Sequence, residues 1–345
     1  MNQSIGWMSD RRALGDWSRR VLVLVSGLFL PEVCVWGWWD AGHRIVACIA
    51  WQELSVAERA QLVGWLQGHP RWESDFRQAA PDAVRADPEL FAEWAWSQAA
   101  VWPDTTSRFR PVDRERYHRP EWHYINRPMF MRDEDRVALQ PEKTLLLDLT
   151  PPDQSQRRMN VVQVIRWSDQ RLSDRSCPDS ERGLMLCWLL HTVGDLHQPL
   201  HSTALFSQRL FPNGCRGGNL IPTRPRENLH ALWDSLLGEK IQINTARQRA
   251  ARLRLDDTLQ AEARAASAQR DPVLWMHESH QLVRAVVYTE EILTPLKRWE
   301  TRGETPQPIE LSEEYLRQAG NVARMQVLKA GYRLADMLRR YLRAS

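Results

Sequence analysis

The run LLHTVGDLHQPLH, residues 189–201, concentrates the chemistry of this chain. It holds His191, Asp195, His197 and His201, in a protein with only 10 histidines. His191 and Asp195 are four apart, so on a helix they share one face. Imidazole nitrogen and carboxylate oxygen are donors that zinc and similar divalent ions accept. The same spacing recurs in NLHALWD as His230 and Asp234. One such pair is commonly just a hydrogen bond on a helix. Two pairs plus His201, which Gly194 and Pro199 would turn back inward, predict more than one metal ion and a hydrolase. His43, Asp104 in VWPDT and His123 in EWHYIN extend the donor set.

Positioning these groups falls to helices. The 345 residues are ample for a core; glycine is sparse at 16, and β-branched alternation is rare. An all-α fold, a single mainly helical domain, is expected. Helical spacing runs through GHRIVACIAWQEL, then Ser55 and Glu58 form a capping box. Residues 68–88 read as a polar connection. FAEWAWSQAAVW is helical and is expected to stop at Pro103. Residues 103–122 read as irregular, rich in Arg and Pro. Strong helices are expected at 158–172 and 181–198, and a loop at 203–227. Helices at 228–239, 244–267, 271–299 and 311–343 complete the reading. The formal net charge of +3 argues against a broad basic surface for duplex binding.

Four arginines between Arg11 and Arg20 precede the apolar stretch VLVLVSGLFL, residues 21–30. Val35 and Gly37 suit the small-residue positions of a cleavage site. Residues 1–37 are therefore expected to be a signal peptide, with residues 38–345 as the functional domain. The apolar stretch is about half of the ~20 residues that span a bilayer, so no stable membrane anchor should remain after cleavage. Removing Cys34 leaves Cys48, Cys177, Cys187 and Cys215. Cys48 and Cys187 lie in apolar helical runs, so Cys177 and Cys215 are the expected disulfide pair. There is no CxxC, and the HESH run at 277–280 lacks the HExxH pattern of zinc proteases.

Taken in order, WWDAGH, VWPD, WHYIN, HTVGDLHQPLH, GGN, NLHALWD and AGYRLADML are the blocks of a known family. The chain resembles the S1/P1 nucleases, zinc-dependent enzymes of the mung bean nuclease type that are related in fold to zinc phospholipases C. The resemblance covers essentially all of residues 38–345. It implies a cleft with three zinc ions. One would take Asp104, His123 and His191 and share Asp195. A second would take the free amine and carbonyl oxygen of Trp38, with His43 and Asp195. The third would take His201, His230 and Asp234. An amide nitrogen inside a chain cannot bind metal at neutral pH, so Trp38 can serve only once cleavage makes it the chain end.

The resemblance also implies the reaction. A zinc-activated hydroxide would attack phosphorus in line, with Asp104 orienting it and zinc stabilising the 3′ leaving oxygen. Asp104 and Asp195 are the expected catalytic residues. Single-stranded DNA and RNA would be cut to 5′-phosphorylated fragments, and 3′-nucleotides would lose their phosphate. Tyr124 would stack on a base, which needs an unpaired strand. Asn126 stands where some members grip the base edge with a carboxylate. Asn219 of GGN and Arg108 would contact phosphate. Arg108 departs from the family by one position, since Ser107 stands where members often carry arginine. Members often have Asp where this chain has Cys215. His197 faces away from the His191 stripe and is expected to support the ligands without being one.

Export to the periplasm or the medium follows from the signal, and a monomer is expected. Two rival readings are a zinc phospholipase C of the same fold and an exported zinc-binding protein without activity. Substrate panels separate them.

Overall fold

The computed structural model describes residues 38–141, 145–152 and 158–344. The expected signal peptide and Cys34 lie outside the described residues. Helices dominate: α1 (Asp40–Glu53), α2 (Val56–Gln67), α3 (Asp82–Arg85), α4 (Pro88–Thr105), α5 (Pro111–Tyr117) and α6 (Asp133–Leu139) form the first half. Then follow α7 (Val161–Ser173), α8 (Asp179–Leu196), α9 (Leu229–Ser235), α10 (Ile243–Arg254), α11 (Asp257–Ser267), α12 (Pro272–Leu282), α13 (Glu290–Arg302) and α14 (Glu313–Ala344). No described helix is long and apolar enough to cross a membrane.

The axis is α8. Its stretch from Leu186 to Leu196 is buried on every side, as expected for a helix apolar all round. Helices α7, α4, α2 and α1 pack around it. Local signals start these helices. Ser55 and Glu58 form the capping box of α2, Asn160 and Gln163 that of α7, and Asp87 accepts from the first N–H groups of α4. Tryptophans fill the space between helices, and several keep their indole N–H groups bonded. Trp96 donates to the Ala47 carbonyl at 2.9 Å, and Trp102 donates to Asp75 at 2.9 Å. Helix α14 lies along α1, crossing closely where Gly331 meets Ile49. A second apolar cluster gathers Leu205, Phe211, Trp233, Tyr288, Trp299 and Tyr315.

Several expectations need correction. The expected loop at 203–227 contains strand β2 (Thr203–Phe206), parallel to β1 (Arg127–Phe130) with Arg127 opposite Thr203. It also contains β3 (Thr223–Arg224), parallel to β4 (Ile309–Glu310). These pairings join distant segments, so local periodicity does not announce them. Helix α4 runs through Pro103 instead of stopping there. The hydroxyls of Thr105 and Thr106 bind the Trp102 and Pro103 carbonyls at 2.7 and 2.6 Å and hold that last turn. The residues read as irregular at 103–122 include α5 and a 3-10 turn at Pro120–His123. The helix expected at 244–267 is two, because Asp256 caps a new one by accepting from the Leu259 N–H at 3.1 Å. The helix expected at 271–299 is interrupted by a π turn at Val283–Val287.

The expected disulfide is absent among the described residues, where Cys48, Cys177, Cys187 and Cys215 are buried free thiols. Cys177 precedes α8 and Cys215 follows its far end. Each is buried in its own surroundings. Cys215 is engaged otherwise. Its sulfur accepts from the Leu205 and Gly218 N–H groups at 3.2 Å and lies 3.2 Å from the Tyr288 hydroxyl.

Candidate metal centre

The C-terminal half of α8 brings His191 and Asp195 into one buried group. His191 Nε2 lies 2.9 Å from His123 Nδ1 and 3.1 Å from Asp195 Oδ2. His123 Nδ1 is itself 3.1 Å from Asp195 Oδ2. Asp104, on the last turn of α4, adds Oδ1 at 3.4 Å from His191 Nε2 and 3.7 Å from His123 Nδ1. From α1, His43 stacks on His191 with ring centres 3.9 Å apart and sets Nε2 at 3.4 Å from Asp195 Oδ1. This approach needs Gly194, since a Cβ there would stand 2.9 Å from His43 Nδ1.

A neighbouring set comes from the turn after α8 and from α9. His201 Nε2 lies 3.2 Å from His230 Nε2, which lies 3.3 Å from Asp234 Oδ2. Gly217 closes this side with φ of 57°, and a Cβ there would meet the Leu200 carbonyl at 2.7 Å. The structure thus forms three groups able to hold a metal ion: His43, His191 and Asp195; Asp104, His123 and His191; His201, His230 and Asp234.

The donor chemistry fits divalent metal. Two ligands about 2.05 Å from a tetrahedral zinc stand about 3.3 Å apart, which is the range of these separations. Backbone carbonyls hold the far nitrogens of the rings. His191 Nδ1 donates to Ala100 O at 2.7 Å, His201 Nδ1 to His123 O at 2.6 Å, and His230 Nδ1 to Gly217 O at 2.7 Å. Each ring then turns Nε2 towards its partners, the arrangement by which carbonyls orient metal-binding histidines. Both ring nitrogens of buried His43, and Asp195 Oδ1, find no hydrogen-bond partner among the described residues.

The charge balance is uneven. Burial opposes ionisation of Asp195, yet His191 and His201 hold its carboxyl well below the usual range. Burial likewise disfavours charge on His191, but Asp195 and Asp104 push it well above the ordinary histidine value. His43 is lowered by burial and by the charge of His191. Asp234 goes the opposite way from Asp195. Burial raises it, Asp195 and Asp104 add to this, and the hydrogen bond from Gln198 Nε2 at 2.7 Å only partly offsets them. A cation beside Asp234 would remove that penalty.

Trp38 is fully buried and packs over Gly42 at the start of α1. Its neighbour Trp39 donates its N–H to the Asp234 carbonyl at 3.2 Å, which ties this end of the chain to α9. Tyr124 follows His123 and is half-buried; burial and nearby Glu121 raise its hydroxyl, while Arg158 and Arg216 oppose them. Asn126 is half-buried, and Arg108 is exposed in the 3-10 turn after α4. Asn219 uses its amide to bind the Arg216 carbonyl at 2.8 Å, closing its own turn.

His197 stands outside the three groups. Its Nδ1 donates to Val193 O at 2.7 Å and its Nε2 accepts from Arg333 at 2.8 Å. Arg333, from AGYRLADML, is 1% exposed and also donates to Glu278 at 2.8 Å. Ser279 and Gln326 donate to the Leu196 and His197 carbonyls at 2.6 and 3.2 Å, so α12 and α14 clamp the end of α8. Sequence reasoning missed Gln198, Ser279, Gln326 and the role of Arg333. Only Gln198, lying between Asp195 and His201, carried a positional hint.

Residues 38–343 match the family described as S1/P1 Nuclease. The chain is 24% identical over 344 residues to Endonuclease 4 of Arabidopsis thaliana, covering 95% of each chain. The chain belongs to the S1/P1 nuclease family, metal-dependent hydrolases acting on phosphodiester bonds.

Proposed function

We propose that the chain is a zinc-dependent endonuclease that cuts single-stranded DNA and RNA to 5′-phosphorylated fragments and also removes the phosphate of 3′-nucleotides. The carrying observation is one buried group in which His191 serves two candidate metal sites, with Tyr124 the residue after the ligand His123. Three zinc ions fit the donor sets. Asp104, His123 and His191 hold the first and share Asp195 with the second. His43 and the freed amine and carbonyl oxygen of Trp38 complete the second. His201, His230 and Asp234 hold the third.

Bound zinc supplies Lewis acidity there, lowering the pKa of water and neutralising the phosphate oxygens and the 3′ leaving oxygen. Asp104, the most exposed of the ligand side chains at 9%, accepts a hydrogen bond from the attacking water and aims it at phosphorus. Asp195 holds His191, His123 and His43 in register. Tyr124 stacks on an unpaired base, Asn126 meets the base edge, and Asn219 and Arg108 meet phosphate. Residues 1–37 direct export to the periplasm or the medium, and their removal frees the Trp38 amine. The mature chain, without a membrane anchor, acts as a monomer.

Zinc stoichiometry with a substrate panel tests this reading on the wild type and Asp195→Asn. Three zinc ions per chain and release of acid-soluble nucleotides, both reduced in the variant, are expected. Hydrolysis of phosphatidylcholine in place of nucleic acid would make the protein a phospholipase, and zinc without turnover a binding protein.

A further inference from the structure

The HESH run, residues 277–280, divides its side chains between two tasks. Glu278 and Ser279 serve the clamp on α8, accepting from Arg333 at 2.8 Å and donating to the Leu196 carbonyl at 2.6 Å. His277 and His280, three apart on α12, reach the paired strands β1 and β2 instead. Arg127 Nη1 donates to His277 Nδ1 at 2.7 Å, and His280 Nδ1 lies 2.7 Å from the Thr203 hydroxyl. Arg127 and Thr203 are direct partners in the β1–β2 register, so the two contacts stand side by side. Arg284, in the π turn after α12, adds a fourth basic group whose charge acts on His280.

This cluster has no counter-charge. Arg127 is partly buried, and its one hydrogen-bond partner among the described residues is the ring of His277. No carboxylate pairs with Arg127 or Arg284 there, and burial lowers the Arg127 guanidinium without any acid to oppose it. A guanidinium can only donate, so His277 Nδ1 is an unprotonated acceptor. Burial and Arg127 lower His277, with Asp271 opposing them. Burial, Arg127, Arg284 and His277 lower His280 to about 4, with the Ser202 carbonyl opposing them. Two guanidinium groups thus stand beside two uncharged rings. Nε and Nη2 of Arg127 keep their donors unused among the described residues, and these form the fork that matches two oxygens of a phosphate. An oxyanion there supplies the missing negative charge. The same charge favours a proton on His280, which adds a donor.

We propose that Arg127, His277, His280 and Arg284 form an oxyanion site, separate from the three metal groups, that takes a phosphate group. Inorganic phosphate and a phosphate of a nucleic-acid strand offer the same oxygens, and either can fill it. No residue of the site belongs to a metal group, so its binding does not depend on the nuclease reading.

The test titrates the zinc-loaded protein with inorganic phosphate at neutral pH and follows the imidazole resonances of His277 and His280. These report at the site itself, apart from any phosphate held by zinc. Saturable shifts of both rings are expected in the wild type. Arg127→Gln should weaken the response roughly tenfold, the scale of lost charge-assisted bonds. Arg284→Gln, at an exposed position, should weaken it roughly threefold. Zinc content and melting temperature show whether each variant is folded, and if Arg127→Gln is not, Arg284→Gln decides. A cleavage-resistant phosphorothioate single strand separates the two sources. Shifts at strand concentrations far below those needed for phosphate assign the site to the strand, and shifts with phosphate alone assign it to the free anion. No shift with either ligand overturns the proposal. So do shifts of equal affinity in the wild type and in both folded glutamine variants, which would place the bound phosphate elsewhere.

Discussion

His201 and His230 face each other through Nε2 atoms 3.2 Å apart, and each ring holds a backbone carbonyl with Nδ1. Two acceptors at that separation repel unless a cation lies with them. Chelation should therefore lower the melting temperature, on the order of 10 °C, and added zinc should restore it. Calorimetry on chelated and reconstituted protein checks this, and an identical melting temperature in both states contradicts it.

Gly194 is the only residue that leaves His43 room against α8. Gly194→Ala puts a methyl 2.9 Å from His43 Nδ1. The expected cost is about 1–3 kcal/mol of stability by urea unfolding, together with loss of metal from the group shared by His43 and Asp195.

Arg333 joins α14 to the end of α8 through His197. Arg333→Met keeps much of the volume but leaves His197 Nε2 without the donor now at 2.8 Å and Glu278 without its buried partner. A loss of about 1–3 kcal/mol is expected, mainly from the unsatisfied His197 Nε2, and is read as a shift of the urea midpoint. A midpoint within error of the wild type would show that the clamp carries no stability.

Glu53 gathers Arg254 at 2.6 Å and Arg264 at 3.1 Å. Burial opposes its charge, but the hydrogen bonds of Arg264 and Arg254 prevail and hold its carboxyl below the usual value of 4.5. A depressed carboxylate contributes stability above its unfolded pKa and loses it as pH falls through the folded pKa. Glu53→Gln should cost about 1–2 kcal/mol at neutral pH, discounted because Arg264 is partly exposed. The gap to wild type should close below about pH 4, seen in denaturation midpoints across pH.

The cysteines provide a simple check. A chain beginning at Trp38 should yield four titratable thiols on unfolding without reductant, and reductant should leave its melting temperature unchanged.

The metal group was legible because its chemistry is local. His191 with Asp195 and His230 with Asp234 are helical neighbours, and the helix period alone places each pair on one face. The helices of the core were legible for the same reason, as apolar runs, one of them begun by the capping box of Ser55 and Glu58; the Asn160 cap that starts α7 at Val161 was not read. What could not be read depends on partners far along the chain. Strand β2 exists because Arg127–Phe130 lies beside it, and α4 passes Pro103 because hydroxyls and buried Trp102 hold the turn. Cys215 looked like half of a disulfide because a loop cysteine reveals nothing of the N–H groups that will surround it.

Helix α14 is the cover of α1, and it is made long after the helix it covers. Until Gly331 can meet Ile49, the helix that carries His43 lacks its main apolar partner. A ribosome delivers the cover some 280 residues after the helix it covers (about the 282 between Ile49 and Gly331). A chain in transit therefore has its ligands but not their enclosure. The enclosure of the metal group is thus completed late in folding, not as its ligands emerge.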